Sequence, residues 1–467
     1  MGSLRWFILV LVLAAVAGCS GEDVPESTPQ PPPPRSASPT VSELTPEALV
    51  RVVDGDTRRL VKRAVVRVRG SVARVDDDGV ARVEVSDSKR VRARISAPGY
   101  SSRRVALPVR TDRPATVQVW RRNLQWPVYG VDAARTQAQP ANALRPPFRV
   151  VWRLEVGSLL EFPATVWEGR AYLLSYSGRL RAVSMRDGEV LWRRKVGRTS
   201  ASSPAVDPER RQLVVTTKEP GQVKIVDMDT GRVRWSRRTA HVEASPVIAG
   251  DVAYFGDDSG RVYALDLKRR KIRWTFSGAS KITSSATLAG GRLYFGDYAG
   301  RVFALSPRTG RRLWTGSAGT RVYGTVAAAR GRVFAPSVFS GLSALSARSG
   351  RLLWRVPAGA YVYSSPAYYR GRVYFGSYAG LVYCVNARSG RVLWRGGTGA
   401  SVSGAIVIVG GVVYAGSFNN RISAFDWRSG RQLWAFPDGR YVPVSANGGR
   451  LLLHGSRTLY GAAPKQR

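Results

Sequence analysis

GRVYFGSYAGLVYCVNARSGRVLW, residues 371–394, shows the repeating pattern of this chain most clearly. Short apolar segments alternate with glycine-containing turns, and the stretch ends on a tryptophan. GRLYFGDYAGRVFALSPRTGRRLW (291–314) follows the same pattern. A repeat of about 40 residues with two hairpins per unit is typical of a β-propeller. The tryptophans that mark this repeat are Trp152, Trp192, Trp235, Trp274, Trp314, Trp354, Trp394 and Trp434.

Each repeat predicts four antiparallel strands. In the repeat quoted above they are an innermost strand SSPAYY (364–369), a second strand VYFG (373–376), a third strand LVYCV (381–385) and a fourth strand that carries Trp394. Glycine suits the turns because a residue with a side chain is strained at positive φ. We expect the repeated tryptophans to fill the gaps between neighbouring sheets as core residues, not to stack on a cofactor.

The two ends of the repeat array complement each other. FRVVWRLEVG (148–157) matches a fourth strand but has no blade before it, whereas only three strands follow Trp434. Pairing the spare strand into the last blade leaves no open sheet edge. The sequence therefore predicts an all-β fold, an eight-bladed β-propeller preceded by a small β-sandwich domain.

The blade pattern resembles the PQQ-like (pyrroloquinoline quinone) repeat, on Tyr263-Ala264-Leu265-Asp266 and Phe303-Ala304-Leu305. The resemblance spans roughly 126–467, within a predicted propeller domain at 123–467. The family it implies has two branches, the quinone-dependent alcohol and sugar dehydrogenases and the non-catalytic outer-membrane assembly lipoproteins. The dehydrogenases hold the quinone against a disulfide of adjacent cysteines and place calcium on carboxylates and an asparagine.

The N-terminus predicts export and lipidation. Arg5 precedes a run of 12 apolar residues at 6–17, which is too short to span a bilayer and suits a signal peptide (1–18). The run leads into Val16-Ala17-Gly18-Cys19, which resembles a lipobox, so we expect Cys19 to carry the lipid. An ordinary signal peptide or a short anchor with an incidental cysteine is the alternative. Residues 19–45 are rich in Pro and Ser and predict a disordered tether.

Residues 46–122 have a different texture, with short alternating strands such as VARVEV (80–85) and VRARI (91–95). Asp78-Gly79 and Pro98-Gly99-Tyr100 lie between them. The segment resembles a carboxypeptidase-regulatory-like or PEGA-like β-sandwich, which is non-catalytic in such families. Asp76-Asp77-Asp78 does not have the spacing of a calcium loop, and we interpret it as a solvated hairpin turn.

The chain of 467 residues carries a formal net charge of +40. Such a charge favours anionic partners, although a GC-rich coding sequence explains the same excess of arginine. Export places the protein away from cellular nucleic acid, so we expect no nucleic-acid partner.

Residues with catalytic potential are few. Cys384 occupies a slot filled by alanine in other blades and predicts a small buried hydrophobe. Asp257-Asp258 is the nearest approach to a divalent-ion site, but we interpret it as a solvated turn. His241 with Glu243 sits on a loop that could face the central channel, where a structural or solvated histidine is the simpler interpretation. With His454 as the only other histidine, a His-rich metal site is excluded.

These patterns predict a non-catalytic, envelope-anchored scaffold that binds an envelope protein or an anionic envelope polymer. We expect it to be a monomer without cofactor or metal. The alternative is a PQQ-dependent dehydrogenase with calcium and an atypical site. We expect the binding face on the rim where loops enter the innermost strands and where turns join strands two and three. The alternative is that the aromatic residue repeated in these turns merely caps its own turn and does not belong to a binding face. The candidate residues are Tyr176, Lys281, Tyr298, Arg321, Tyr323, Phe339, Tyr361, Tyr363, Tyr378, Phe418, Arg440 and Tyr441.

Overall fold

The chain from Pro46 onward is almost entirely β-structure. A computed structural model describes residues 46–85 and 89–465, with the side chains of 110–112 left aside. The predicted signal peptide, Cys19 and the predicted tether lie outside the described residues. Pro46–Arg467 forms one compact unit, so a domain boundary at residue 122 stays a prediction. Among the described residues, no helix has the length and apolar character needed to span a membrane.

Seven strands form two small sheets at the start of the described chain, called here the N-terminal sheets. One has the order β4-β1-β7 and the other β3-β2-β5-β6. They share one core, to which Val50 and Val83 contribute from the first sheet and Val66 and Ile95 from the second. The strands are β1 Glu47–Asp54, β2 Val65–Val68, β3 Ser71–Arg74, β4 Val80–Glu84, β5 Arg90–Ser96, β6 Arg103–Pro108 and β7 Arg110–Val119.

The Asp76–Gly79 segment is a turn, but it is not a hairpin. β3 and β4, which flank it, belong to different sheets, so the turn carries the chain from one sheet to the other. The Asp76 carboxylate accepts the Val80 amide proton at 2.8 Å and pairs with Arg82, which fixes the turn locally. The predicted hairpin is therefore wrong, while the predicted solvent exposure of Asp77 and Asp78 is confirmed.

The remaining strands form the propeller. A short 3₁₀ helix (Arg122–Leu124), β8 (Ala138–Gln139) and β9 (Phe148–Glu155) come before the first regular sheet. Blades 1 to 4 contain β10 Thr165–Trp167, β11 Arg170–Leu174, β12 Arg179–Ser184, β13 Val190–Lys195; β14 Ala205–Asp207, β15 Gln212–Thr217, β16 Gln222–Asp227, β17 Val233–Arg238; β18 Val247–Ala249, β19 Val252–Gly256, β20 Val262–Asp266, β21 Lys271–Phe276; β22 Thr287–Ala289, β23 Arg292–Gly296, β24 Arg301–Leu305 and β25 Arg312–Ser317. Blades 5 to 8 contain β26 Ala327–Ala329, β27 Arg332–Ser337, β28 Gly341–Ser346, β29 Leu352–Val356; β30 Ala367–Tyr369, β31 Arg372–Gly376, β32 Leu381–Asn386, β33 Val392–Gly397; β34 Val407–Val409, β35 Val412–Ser417, β36 Arg421–Asp426, β37 Gln432–Phe436; β38 Val444–Ala446, β39 Leu451–His454 and β40 Thr458–Pro464.

The sheets follow one another around a closed ring. Innermost strands of neighbouring blades contact each other throughout, including β10 of blade 1 with β38 of blade 8. The last sheet has the order β38-β39-β40-β9, so the spare strand β9 supplies the fourth strand of blade 8. The predicted pairing of the two chain ends is confirmed, and the all-β propeller fold with it.

The repeated tryptophans hold neighbouring blades together. The indole N–H of Trp274 donates to the Pro307 carbonyl of the next blade at 3.0 Å, and that of Trp314 donates to Ala347 at 3.1 Å. A Cβ added to Gly310, which has φ +73°, would lie 2.6 Å from the Trp274 ring. Glycine is therefore required there both for the turn and for the contact. The prediction that these tryptophans are core residues is confirmed.

Residues 126–139, which come before blade 1, are called here the lead-in. This segment runs along the innermost strands of the ring. Its backbone carbonyls accept amide protons from the innermost strands of six blades, at Val166, Val206, Leu288, Ala328, Tyr368 and Ile408. The fully buried Arg135 completes the contact, since its guanidinium donates to the carbonyls of Ser245, Pro246 and Ala286 at 3.0–3.1 Å and to that of Tyr129. The lead-in thus blocks the central channel at one end.

The propeller has two rims, which differ in what covers them. The turns that join strands one and two and strands three and four form the docked rim, because the N-terminal sheets pack there. Asp56 accepts hydrogen bonds from Asn447 (2.8 Å) and Gly448 (2.9 Å) of blade 8. Gln125 accepts the amide proton of Glu168, in blade 1, at 2.8 Å. The opposite rim is called here the tyrosine rim.

Candidate binding site at the mouth of the central channel

The two sets of loops predicted to share a rim are hydrogen-bonded to each other. In blade after blade, the amide in the turn between strands two and three donates to a carbonyl in the loop that enters the innermost strand. Tyr298 donates to Lys281 at 3.0 Å, and Tyr378 donates to Tyr361 at 2.9 Å. Tyr176 with Leu159, Asp258 with His241, Val338 with Arg321 and Phe418 with Ser401 repeat the bond. The predicted placement of both loop sets on one rim is confirmed.

Phe339 does not occupy the slot assigned to it. In blade 5 the repeated hydrogen bond is made by Val338, which is fully buried and holds the position of Tyr298 in blade 4 and Tyr378 in blade 6. Phe339 follows it and is 62% exposed. The prediction that an aromatic residue fills the same slot in five blades is therefore wrong for blade 5. Phe339 still joins the aromatic cluster, since its ring lies 5.1 Å from that of Tyr361.

The aromatic side chains form one continuous cluster along the tyrosine rim. Ring centroids are separated by 6.2 Å from Tyr298 to Tyr323, 5.1 Å from Tyr323 to Tyr363 and 4.9 Å from Tyr363 to Tyr378. Phe418 continues the series from Tyr378 at 5.6 Å to Tyr441 at 5.7 Å. The rings interact across five blades, so they do more than cap their own turns.

Cations stack on both ends of this cluster. Lys281 and Arg321 lie 5.4 and 4.7 Å from the centroid of the Tyr298 ring, and Arg440 lies 4.8 Å from that of Phe418. Such contacts hold guanidinium groups over rings in a fixed orientation. Eleven of the twelve predicted residues are thereby brought together. Tyr176 is the exception, because it makes no ring contact within the described residues.

A cavity of about 250 Å³ opens inside the ring of tyrosines and is called here the central pocket. Tyr129 of the lead-in forms part of its wall and donates its hydroxyl proton to Ser365 at 2.9 Å. The pocket is therefore blind towards the docked rim. Its lining includes Tyr323, Tyr363, Tyr378, Tyr441, Phe162, Phe418, Thr283, Ser403, Glu161 and Glu243.

Hydroxyl groups bind the blades to one another behind this lining. The amide of Ser203 donates to the Ser245 hydroxyl at 2.9 Å, and the amide of Ser245 donates to Ser285 at 2.9 Å. Ser285 bonds to Thr325 at 3.1 Å and Thr325 to Ser365 at 2.9 Å in the same way. Each bond joins one blade to the next at the pocket wall, so the wall is held by the repeat itself.

Two carboxylates line the pocket, and only Glu243 had been connected with the channel from the sequence. Glu243 pairs with Lys218 at 2.9 Å and with Lys281 at 3.5 Å, and Lys281 also pairs with Asp258 at 2.9 Å. The hydrogen bond to Glu243 raises the pKa of Lys218. These two carboxylates and two ammonium groups neutralise each other.

Glu161 was missed from the sequence, and it differs from Glu243. No hydrogen bond or ion pair joins its carboxylate to the described residues. Burial and the charge of Glu243 raise its pKa to about 7, although Lys218 opposes the shift. The repeat contains a pattern that could have identified Glu161. In six blades the residue four positions before the first residue of the innermost strand lines the pocket. These residues are Glu161, Glu243, Thr283, Tyr323, Tyr363 and Ser403.

The remaining residues with catalytic potential are Cys384, His241, His454 and Asp257. Cys384 is fully buried, as predicted, and burial raises its pKa to about 11. His241 is exposed, whereas His454 is buried and accepts the Ala164 amide proton at 3.0 Å. The interpretation of Asp257 as solvated is wrong: it is fully buried, and it accepts hydrogen bonds from its own turn and from Tyr263 at 2.8 Å. Within residues 46–85 and 89–465, no group of His, Cys, Asp or Glu could hold a metal ion.

Comparison with known proteins gives matches over the propeller. A family model described as outer membrane protein assembly factor BamB matches residues 119–315 and 269–465. BamB from Moraxella catarrhalis is 17% identical, with a TM-score of 0.57 over 68% of this chain and 100% of that one. Quinohemoprotein alcohol dehydrogenase from Comamonas testosteroni is 13% identical, with a TM-score of 0.63 over 74% and 82% of the two chains. A europium-containing methanol dehydrogenase is 13% identical, with a TM-score of 0.64 over 73% and 98%. No curated protein matches the chain.

Proposed function

The chain belongs to the family described as outer membrane protein assembly factor BamB. We propose that it is a non-catalytic scaffold that binds a protein partner on its tyrosine rim. The observation that carries the proposal is the continuous cluster of aromatic rings with Lys281, Arg321 and Arg440 stacked on it. Tyr and Arg are enriched at protein interfaces because they combine large contact area with directed hydrogen bonds.

The distribution of covered and open surface supports the same face. The docked rim is covered by the segment before the lead-in, through Asp56 just after β1 and Gln125 just after the 3₁₀ helix. The tyrosine rim has no such cover within the described residues, and Phe339 (62% exposed) and Tyr361 (46% exposed) project from it. Large exposed aromatic side chains rimmed by polar groups are typical of interaction sites.

The donor set of the pocket supports a non-catalytic role. Calcium prefers six to eight oxygen ligands, with several carboxylates among them. Glu243 is engaged by Lys218 and Lys281, and Glu161 has no second free carboxylate beside it in the described chain. These residues fit a calcium–quinone pair poorly, so the alternative of a PQQ-dependent dehydrogenase is the weaker candidate.

The test is a variant with Tyr298, Tyr378, Arg321 and Arg440 all replaced by Ala. We expect this variant to fold, as shown by its circular dichroism and Tm, but to lose the partner captured by cross-linking on intact cells. The matched control replaces Arg311 and Arg391, exposed turn residues of the docked rim, and removes the same charge. Equal loss of capture in both variants would mean diffuse electrostatic attraction and would overturn the proposal.

A second candidate, binding of an anionic envelope polymer, is favoured by the outer face of the N-terminal sheets. Arg67 on β2 stands opposite Arg94 on β5, which stands opposite Arg104 on β6. All three are exposed, and none forms an ion pair with a residue that the structure describes. Like charges directly opposite each other destabilise a sheet, and a bound polyanion would relieve that repulsion.

Polyphosphate can serve as the probe for this second candidate. Replacing Arg67, Arg94 and Arg104 with Ser should weaken polyphosphate binding by about tenfold more than replacing the exposed Arg311, Arg391 and Arg431 with Ser. Equal weakening by the two triple variants would leave only the total charge as the cause, and this candidate would fail.

We also propose that the chain is exported and held at the membrane by a lipid on Cys19, on the extracytoplasmic side. The lipobox-like Val16-Ala17-Gly18-Cys19 and the outer-membrane description of the family support this. Cys19→Ser cannot form the thioether and should appear as an unprocessed or released form. Equal membrane retention of the wild type and Cys19→Ser after a high-salt wash would contradict lipidation.

A further inference from the structure

We propose that the central pocket receives a single cationic side chain, a lysine or arginine of the bound protein partner, with Glu161 as its counter-charge. The inference rests on the proposed function, because a partner seated on the tyrosine rim would present this side chain. A carboxylate at the centre of that surface selects a cation, whereas the surrounding aromatic cluster by itself does not select a particular ligand.

The walls of the pocket suit a cation. Tyr323, Tyr363, Tyr378 and Tyr441 line it together with Phe418, and successive rings contact one another at 4.9–5.7 Å between centroids. A ring of aromatic faces attracts an ammonium or guanidinium group through the ring quadrupoles, most strongly where water is excluded.

The charges at the pocket leave one carboxylate without a counter-charge. Lys218 and Lys281 pair with Glu243 and Asp258, which accounts for four charges. Arg321 and Arg440 stack on the outer rings of Tyr298 and Phe418 and are not among the residues that line the cavity. Glu161 alone remains, partly buried and without a partner in the described chain. An unpaired carboxylate in such a place is costly, and a ligand cation would remove the cost.

The depth of the pocket limits what can enter. The lead-in blocks the far end, and the Tyr129 hydroxyl is engaged by Ser365. A cavity of about 250 Å³ holds one long side chain, whereas a continuous polymer would need an exit. The site therefore fits a side chain inserted from the tyrosine rim.

The interaction depends on pH through the groups that face Glu161. These are Glu243 and Lys218 on the neighbouring loops and turns, and Tyr323 and Tyr441 on the pocket wall. Burial together with the charges of Glu161 and Glu243 raises the pKa of Tyr323, so this phenol stays neutral. Lys218 stays charged, since its pKa is raised. Asp258, whose pKa burial raises, is held by Lys281. Glu161 is thus the group that changes charge near pH 7.

The experiment uses the mature full chain and a tripeptide probe, acetyl-Gly-Lys-Gly-amide. Its partner probe carries norleucine in place of lysine and so lacks the ammonium group. Calorimetric titration at pH 6 and pH 8 measures both. The variants are Glu161→Gln and the control Glu219→Gln, which removes one negative charge from the same rim, where Glu219 pairs with Arg198. His241→Gln is present in every protein, so that the exposed histidine beside Glu243 does not contribute to the pH dependence.

The lysine peptide should bind about tenfold more tightly at pH 8 than at pH 6, because the ionised fraction of Glu161 rises roughly tenfold across that range. Glu161→Gln should weaken binding at pH 8 by about tenfold and abolish the pH dependence. Glu219→Gln and the norleucine peptide serve as controls. Equal weakening by the two Glu→Gln variants, or equal binding of the two peptides, would overturn the inference.

The two proposals can fail separately. If Glu161→Gln binds the lysine peptide normally while the quadruple rim variant loses its partner, the cation site is wrong and the scaffold proposal stands. If the rim variant keeps its partner while peptide binding needs Glu161, the pocket is a cation site and the partner binds elsewhere.

Discussion

The docked rim and the tyrosine rim are built from the same repeat, and they differ in how far that repeat is varied. On the docked rim, the turn between strands three and four carries a glycine in six blades. This glycine packs against the tryptophan of the preceding blade, as Gly310 does with Trp274, Gly350 with Trp314 and Gly390 with Trp354. On the tyrosine rim, the position four residues before the innermost strand varies between blades and holds Glu, Ala, Thr, Tyr, Ser or Arg.

This difference separates the residues that hold the ring from those that shape the pocket. The Trp–Gly contact fills the gap between neighbouring sheets at six of the junctions between blades, where it recurs with little change. A position that faces the channel has no such neighbour to satisfy and can differ from blade to blade. Variation within the repeat, more than its regular part, therefore marks the candidate binding surface.

The largest effect is expected from Arg135→Ala, which removes the buried guanidinium between the lead-in and the ring, while the backbone hydrogen bonds of the lead-in remain. The buried guanidinium donates to carbonyls from blades 3 and 4 and from the lead-in itself. Their loss should lower the free energy of unfolding by about 3 kcal/mol or more. Chemical denaturation measures this, with the exposed Arg311→Ala as control. A change below about 1 kcal/mol would show that the lead-in does not close the channel.

Acid should loosen the tyrosine rim at the junction of blades 8 and 1. Burial lowers the pKa of His454 to about 4, well below the 6.5 expected of the unfolded chain. Between these values the unfolded state binds more protons, so stability is lost as the pH falls from 6.5 to 4, by at most about 3 kcal/mol.

The variant His454→Gln isolates this term. Gln can still accept the Ala164 amide proton but does not titrate, so unfolding measured from pH 7 to pH 4 should fall less steeply than in the wild type. Parallel curves for the two proteins would show that His454 does not carry the acid sensitivity.

The smallest effect should come from Asp56→Ala, which acts on the docked rim alone. The change removes two hydrogen bonds, to Asn447 and Gly448, and should reduce stability by about 1–2 kcal/mol. Hydrogen exchange should rise in the N-terminal sheets and in the turn at 447–450, while capture of a partner on the tyrosine rim stays unchanged. Asp77→Ala, at an exposed turn position of the same sheets, is the control. Loss of capture would mean that the two rims are coupled.

Much of the candidate site was visible in the sequence. Eleven of the proposed residues meet because loops at equal offsets in consecutive blades must lie side by side. Phe339 was placed one position too far along its turn, since counting 40 residues from Tyr298 leads to Val338. Glu161 was missed because blade 1 begins with EFPA (161–164), which departs from the Ser-rich entry of other blades. The role of Glu161 as an unpaired carboxylate of the pocket depends on Glu243 and on the tyrosines across the channel.

The propeller, its period, the tryptophan contacts and the closure of β9 onto β40 could all be predicted from the residues, because they follow from local alternation and from counting strands. Which charges are left unpaired and which surfaces are covered depends on the packing of the folded chain. Arg135 meets its carbonyls more than 100 residues away along the chain, and Asp56 meets Asn447 almost 400 residues away. Hydrogen bonds and burial at such separations depend on how the ring and the lead-in pack together, and no local pattern of residues encodes them.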